Sequence, residues 1–138
     1  MTETMQAEIA WTGGLGFDGR SGSGHQLAID GKRADGASPM ELILMGLGGC
    51  SSVDVVMILE RMRQKVGGCV CSVAGTRAAT DPKVFTDIHL HFRLTGDSLD
   101  PAKVARAIDL SAEKYCSASI MLAKAARISH DFEIVETL

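Results

Sequence analysis

The side chains with the most chemistry in this 138-residue chain are four cysteines, Cys50, Cys69, Cys71 and Cys116. Cys50 follows the Gly48-Gly49 step and opens the run CSSVDVV, which continues only as a helix. A cysteine at the head of a helix has its thiol acidified by unpaired N–H groups and the helix dipole, and the thiolate is the reactive form. The two glycines carry no Cβ, so a substrate or a second sulfur could come close. The competing reading is equally physical, because a free cysteine also packs in cores as a small hydrophobe. Cys116 lies far along the chain, just ahead of SASIML, and so stands at a second predicted helix start. Two such thiols could act as an attacking and a resolving pair. The first would reduce a peroxide and become a sulfenic acid, the second would condense with it to a disulfide, and an external dithiol would restore both. Spacing alone leaves coincidence open.

The remaining candidates carry weaker signals. Cys69 and Cys71 form a C-x-C on a predicted strand, with both side chains on one face. Zinc sites favour C-x₂₋₄-C on a turn, so two strand cysteines are the better reading than a metal pair. His89 and His91 share a strand face with Asp87 and Arg93, the pattern of a solvated sheet surface, while His25 and His130 stand apart. Arg20 is the one cation of the glycine-dense stretch GGLGFDGRSGSG. Beside a thiol, its guanidinium would favour the thiolate and could bond a peroxide oxygen; alone, it is a loop arginine. No Ser/His/Asp nucleophile elbow is present, and GGLGFDG lacks the strand-to-helix setting of a phosphate-binding loop.

The elements that must position these groups follow from periodicity. MQAEIAWT alternates, with Met5, Ala7, Ile9 and Trp11 on one face, and predicts a half-buried strand. GGLGFDGRSGSG predicts a turn-rich loop, and HQLAIDG a second, antiparallel strand. Ser38, Pro39 and Glu41 form a capping-box start to a long helical segment that ends at KVGG. From Leu42 to Leu59 that segment is apolar nearly all round, which predicts burial on every side. Gly46, Gly48 and Gly49 predict a kink, or two helices meeting near Cys50, because each costs roughly 1 kcal/mol against alanine in a helix interior. CVCSVAGTRAA and VFTDIHLHFRLTG predict a hairpin, with Ile88, Leu90, Phe92 and Leu94 facing inward. Asp100 and Pro101 start an amphipathic helix with an apolar stripe of Val104, Ile108, Ala112 and Tyr115; a short helix SASIMLAKAA and a last strand RISHDFEIVETL follow.

Together these elements predict one α+β domain spanning residues 1–138. Apolar residues make up 46% and charged residues 22%, the balance of a globular chain and not a disordered one. A net charge of −3 lacks the basic face that nucleic acid requires. No run of 18 apolar residues and no signal peptide is apparent, so a cytoplasmic setting without a membrane is expected. A chain of this size is short of surface to wrap so apolar a helix, and a partner subunit would make up the shortage.

GGLGFDGR, SPMELILMGLGGC and KYCSAS, with the order of elements around them, resemble the OsmC/Ohr superfamily, the osmotically induced and organic-hydroperoxide-resistance proteins. PMELILMGLGGCSSVDVV resembles a branch of small bacterial OsmC-like proteins. The resemblance implies an intertwined homodimer with long central helices between two sheets and active sites at the subunit interface. It implies a cysteine-based peroxidase acting on organic hydroperoxides, with Cys50 peroxidatic, Cys116 resolving, Arg20 activating the thiolate, a dithiol as reductant, and no metal or organic cofactor. The hydroperoxidases carry a glutamate directly after the helix-leading proline, paired with that arginine. Here Met40 fills that place and Glu41 follows one residue later, about 100° further round a helix. Ser117 likewise stands where those enzymes carry proline. These departures keep a second reading in play, an OsmC-like protein that binds a small apolar or thiol-reactive ligand without turning over peroxide.

Overall fold

The computed structural model describes residues 2–138, which form two compact units, one ending at Ile43 and one running from Leu44 to Leu138. In the first, β1 (Ala7–Gly13), β2 (Gly16–Ser21) and β3 (Gln26–Asp30) make an antiparallel sheet with β2 in the middle. The expected glycine-rich loop is therefore a central strand. Glycine there serves close approach instead of turning, since a Cβ at Gly19 would sit 3.0 Å from Ile29 Cδ1. The turns lie at the two ends of β2, at Gly13 and Gly14 and again at Gly22–Gly24, where Gly13, Gly14 and Gly24 take positive φ. All seven residues of β1 are exposed in the single chain, Trp11 at 69%, so the half-buried face expected from the alternation is uncovered. At the end of β3, the Asp30 carboxylate accepts the backbone N–H groups of Lys32, Ala34 and Asp35, which hold its pKa below the usual carboxylate value and shape the turn.

α1 (Pro39–Arg61) leads from one unit into the other. Its start is the expected capping box: Glu41 N–H donates to Ser38 Oγ at 3.3 Å, and Ser38 N–H donates to the Glu41 carboxylate at 2.9 Å. The helix then runs without a break through Gly46, Gly48, Gly49 and Cys50, against the kink expected there. It also stops short of KVGG, at Arg61; Arg63 turns the chain at a positive φ and Lys65 already belongs to a strand. Its buried stripe is narrow, Leu47, Gly48, Ser51, Val55 and Leu59, while Met45 and Val53 are about 60% exposed, so burial on every side does not hold for one chain. α1 has the length and the mean hydropathy (2.0) of a membrane span, and its narrow buried stripe packs on a sheet.

That sheet comprises β4 (Lys65–Arg77), β5 (Phe85–Asp97) and β6 (Arg127–Ile134). β4 and β5 form the expected antiparallel pair, and β6 adds parallel to β5. Ile88, Leu90, Phe92 and Leu94 are buried as expected, together with Leu47, Leu59, Val104 and Ile108 from the helices. α2 (Pro101–Leu110) begins at Asp100, whose carboxylate accepts the Ala102 N–H. It is shorter than expected, because residues Ser111–Tyr115 widen into a π-turn that leaves Tyr115 exposed; α3 (Ser117–Leu122) follows.

The outer face of β5 and β6 carries a chain of polar bonds. His89 bridges Ser129 and Asp131, and His91 bridges Asp131 and Glu133 at 2.6 and 3.1 Å. Hydrogen bonds to Asp131 and Glu133 raise the His91 pKa above 6.5, and those from His91 and His89 lower Asp131 below 3.8. The pairing therefore stabilises the fold between those values. Its histidine part is lost as pH rises through the raised folded pKa of His91, and its aspartate part as pH falls through the lowered one of Asp131. Asp131→Asn should move the His91 midpoint, followed by NMR, down toward 6.5. At the helix–sheet contact, a Cβ on Gly48 would lie 2.8 Å from Val73 Cγ2. Gly48→Ala should lower stability in urea unfolding by about 1–3 kcal/mol despite alanine's higher helix propensity, with much of the loss cancelled by Val73→Ala in a double-mutant cycle.

Candidate functional site

The unbroken helix changes the setting of Cys50, which lies in the middle of α1 and not at a helix start. The dipole argument for its acidity therefore falls. Position now does the work instead: Cys50 lies beside the buried stripe, half-buried, and Asp54 follows one turn later on the same face. Cys116 is the residue that heads a helix. Its backbone is extended, its N–H reaches back across the π-turn to Ser111 C=O at 2.8 Å, and its Sγ accepts the Ser119 N–H at 3.3 Å, capping α3.

The two sulfurs meet. Cys50 Sγ, Cys116 Sγ and a carboxylate oxygen of Asp54 all lie within 4.8 Å of one another. Ser51 binds the arrangement from the side, with its Oγ 3.2 Å from Cys116 Sγ and its carbonyl accepting the Ser111 hydroxyl at 3.3 Å. Cys116 is fully buried, and burial raises its thiol pKa; Ser51 and the Ser119 N–H oppose that rise, while the neighbouring Cys50 adds to it. Asp54 was missed by sequence reasoning. Its signal was the Cys-x₃-Asp spacing, one helical turn, which is meaningful only on a continuous helix. Asp54 Oδ2 is buried without a hydrogen-bond partner among the described residues.

A cavity of about 290 Å³ opens beside Asp54, with apolar walls from Met57, Met62, Leu110 and the Tyr115 ring and one cation, Arg61. Of the cluster only Asp54 lines it; the cavity is mixed but mainly apolar, the kind of concavity that holds small organic molecules.

The other expected residues lie in different settings. Arg20 is on strand β2, not in a loop, and its Nε donates to Asp18 at 3.0 Å. Glu41 is engaged in the Ser38 cap, whose bonds, with the charge of Arg33, lower its pKa. No ion pair joins Arg20 to Glu41 among the described residues. Cys69 and Cys71 lie under α1; burial raises both thiols, Cys71 to about 11, and the nearby Ser52 side chain opposes the rise. They are outside the Cys50–Asp54–Cys116 cluster.

A family model described as OsmC-like protein matches residues 30–131. The Escherichia coli K12 protein called Protein YhfA is 52% identical over 132 residues, covering 95% of this chain and 98% of its own. Among solved structures, an OsmC-like protein from Mycoplasma pneumoniae superposes with a TM-score of 0.86 at 17% identity, over 99% of this chain and all of the other. An organic hydroperoxide resistance protein from Elizabethkingia anophelis superposes at 0.72 and 16% identity, over 99% of each chain. At those identities the likeness is one of fold.

Because a buried thiol stays protonated through neutral pH, alkylation of Cys71 by iodoacetamide should keep accelerating past pH 9 and level off only near 11, read peptide by peptide by mass spectrometry.

Proposed function

The chain belongs to the OsmC-like protein family, and we propose that within it this protein is a two-cysteine peroxidase that reduces organic hydroperoxides. The observation that carries this reading is the meeting of Cys50 and Cys116 from distant parts of the sequence within 4.8 Å. A short side-chain rotation and a small backbone adjustment then bring the sulfurs to bonding distance.

The difference in burial supports the division of roles. Cys50 is partly open and Cys116 is sealed, so Cys50 meets the substrate first. Its thiolate attacks the terminal peroxide oxygen, the O–O bond breaks, and the alkoxide leaves as alcohol after taking up a proton. Cys50 is then a sulfenic acid. The Cys116 sulfur attacks it, water departs, and a disulfide remains. An external dithiol reduces that bond with two electrons and two protons, closing the cycle. The 290 Å³ cavity beside Asp54 suits an apolar peroxide tail.

Arg20 retains the thiolate-stabilising role that the family resemblance implies, and Asp18, at 3.0 Å, is the carboxylate that steadies it. Glu41 serves the same end by fixing the start of α1. The protein works as a homodimer, a reading supported by the uncovered apolar side chains of β1 and α1, Ile9, Trp11, Met45 and Val53 among them. Its setting is the cytoplasm, where dithiol reductants are available. The methionine-lined cavity also suits a second reading, an OsmC-like protein that binds a small apolar ligand without turnover.

With cumene hydroperoxide and a dithiol, the wild-type protein should consume many equivalents of peroxide. Cys50→Ser should consume none, and Cys116→Ser should stop after one, leaving a sulfenic acid on Cys50 that dimedone traps. Arg20→Met should slow consumption while diamide still forms the disulfide. Full activity in Cys50→Ser overturns the mechanism, and wild-type consumption limited to one equivalent establishes the binder.

A further inference from the structure

A peroxidase accounts for the two sulfurs but not for Asp54. Its Oδ2 is buried with no hydrogen-bond partner among the described residues, and such an atom carries an uncompensated desolvation cost. A cation in this corner would supply the missing partner. We propose that Cys50, Asp54 and Cys116 form a binding site for one thiophilic divalent metal ion of the zinc type per chain.

The donor set fits. Two sulfurs and one oxygen within 4.8 Å surround a point that each can reach. Tetrahedral zinc holds sulfur at about 2.3 Å and carboxylate oxygen at about 2.0–2.2 Å, which places the donors roughly 3.5–3.8 Å apart, a contraction that χ1 rotations supply. Three protein ligands leave a fourth position for water or a small thiol. Supporting bonds are already in place. The Ser119 N–H donates to Cys116 Sγ at 3.3 Å, as an outer donor does to a metal-bound thiolate, and the Ser51 hydroxyl, 3.2 Å away, can turn its proton to the same sulfur.

Two thiolates and one carboxylate around a dication give the filled site a net charge of −1. Binding ties up the sulfur lone pairs that peroxide attack needs, so the metal-bound and disulfide forms are exclusive states of the same two cysteines. The metal would hold the thiols against oxidation until it is withdrawn. This assignment differs from the C-x-C pair weighed from the sequence, whose thiols lie under α1 with Ser52.

The test uses the reduced full-length protein, without air or peroxide, titrated with Co²⁺ and then with Zn²⁺. One equivalent of Co²⁺ should give thiolate-to-cobalt charge-transfer absorption and intense four-coordinate visible bands, and one equivalent of Zn²⁺ should abolish them. Cys50→Ser and Cys116→Ser should each lose the charge-transfer band, and Cys69→Ser/Cys71→Ser should keep it. Asp54→Asn should bind Co²⁺ at least about tenfold more weakly while keeping wild-type circular dichroism. If Asp54→Asn does not fold, alkylation of the wild type decides instead, because Zn²⁺ should shield Cys50 and Cys116 but not Cys69 and Cys71. Absence of the bands in the wild type, an unchanged affinity in folded Asp54→Asn, or shielding confined to Cys69 and Cys71 overturns the proposal. No peroxide enters these measurements, so their failure leaves the peroxidase reading standing.

Discussion

The structure from Leu44 onward depends on one close approach, that of the α1 backbone to β4 at Gly48. With no side chain there, the helix settles onto Val73 and Cys71. That depth places Ser52 against the strand thiols and Ser51 against Cys116. A bulkier residue would lift the helix off the sheet and carry Cys50 and Asp54 with it, because all of them lie on one rigid rod. The contact that packs the core is thus also the contact that sets the distances in the site.

The same constraint explains what could be read from the sequence and what could not. The capping box at Ser38, the Asp100-Pro101 start and the two-residue alternation of β5 are local patterns, and each produced the element expected of it. The break at Cys50 was expected from a local cost as well, that of three glycines in a helix. Tertiary packing overrode it: the ends of α1 are held by a cap and by Leu47, Val55 and Leu59 in the core, and Gly48 is required by a neighbour remote in sequence. β2 was misjudged for a related reason. Glycine marks turns on average, but here it allows the middle strand to lie close to both neighbours, and nothing within six residues reveals that. In the site, the pairing of Cys50 with Cys116 followed from family order and not from spacing. Asp54 was visible only once the helix was known to be continuous.

Burial raises the thiol pKa of three of the four cysteines, in two different settings. Cys69 and Cys71 lie beneath a helix with a single serine between them, and burial keeps them as thiols. Cys116 is sealed more completely, yet two donors converge on its sulfur and partly offset the desolvation. A sulfur so placed is a better acceptor of charge than its burial suggests. That property suits both a resolving thiol and a metal ligand.

The widened turn at residues Ser111–Tyr115 has a consequence for how such a site diverges among relatives. A π-turn is an α-helical turn with one extra residue. That residue rotates everything beyond it by about 100° relative to α2, which turns Tyr115 to solvent and Cys116 to the interior. Loss of a single codon in this stretch would leave both helices able to form but would aim the second sulfur elsewhere. A two-thiol protein would become a one-thiol protein without a change at either cysteine. Chain length across five residues, more than the presence of the second cysteine, is therefore the trait to follow when this chemistry is traced through related sequences.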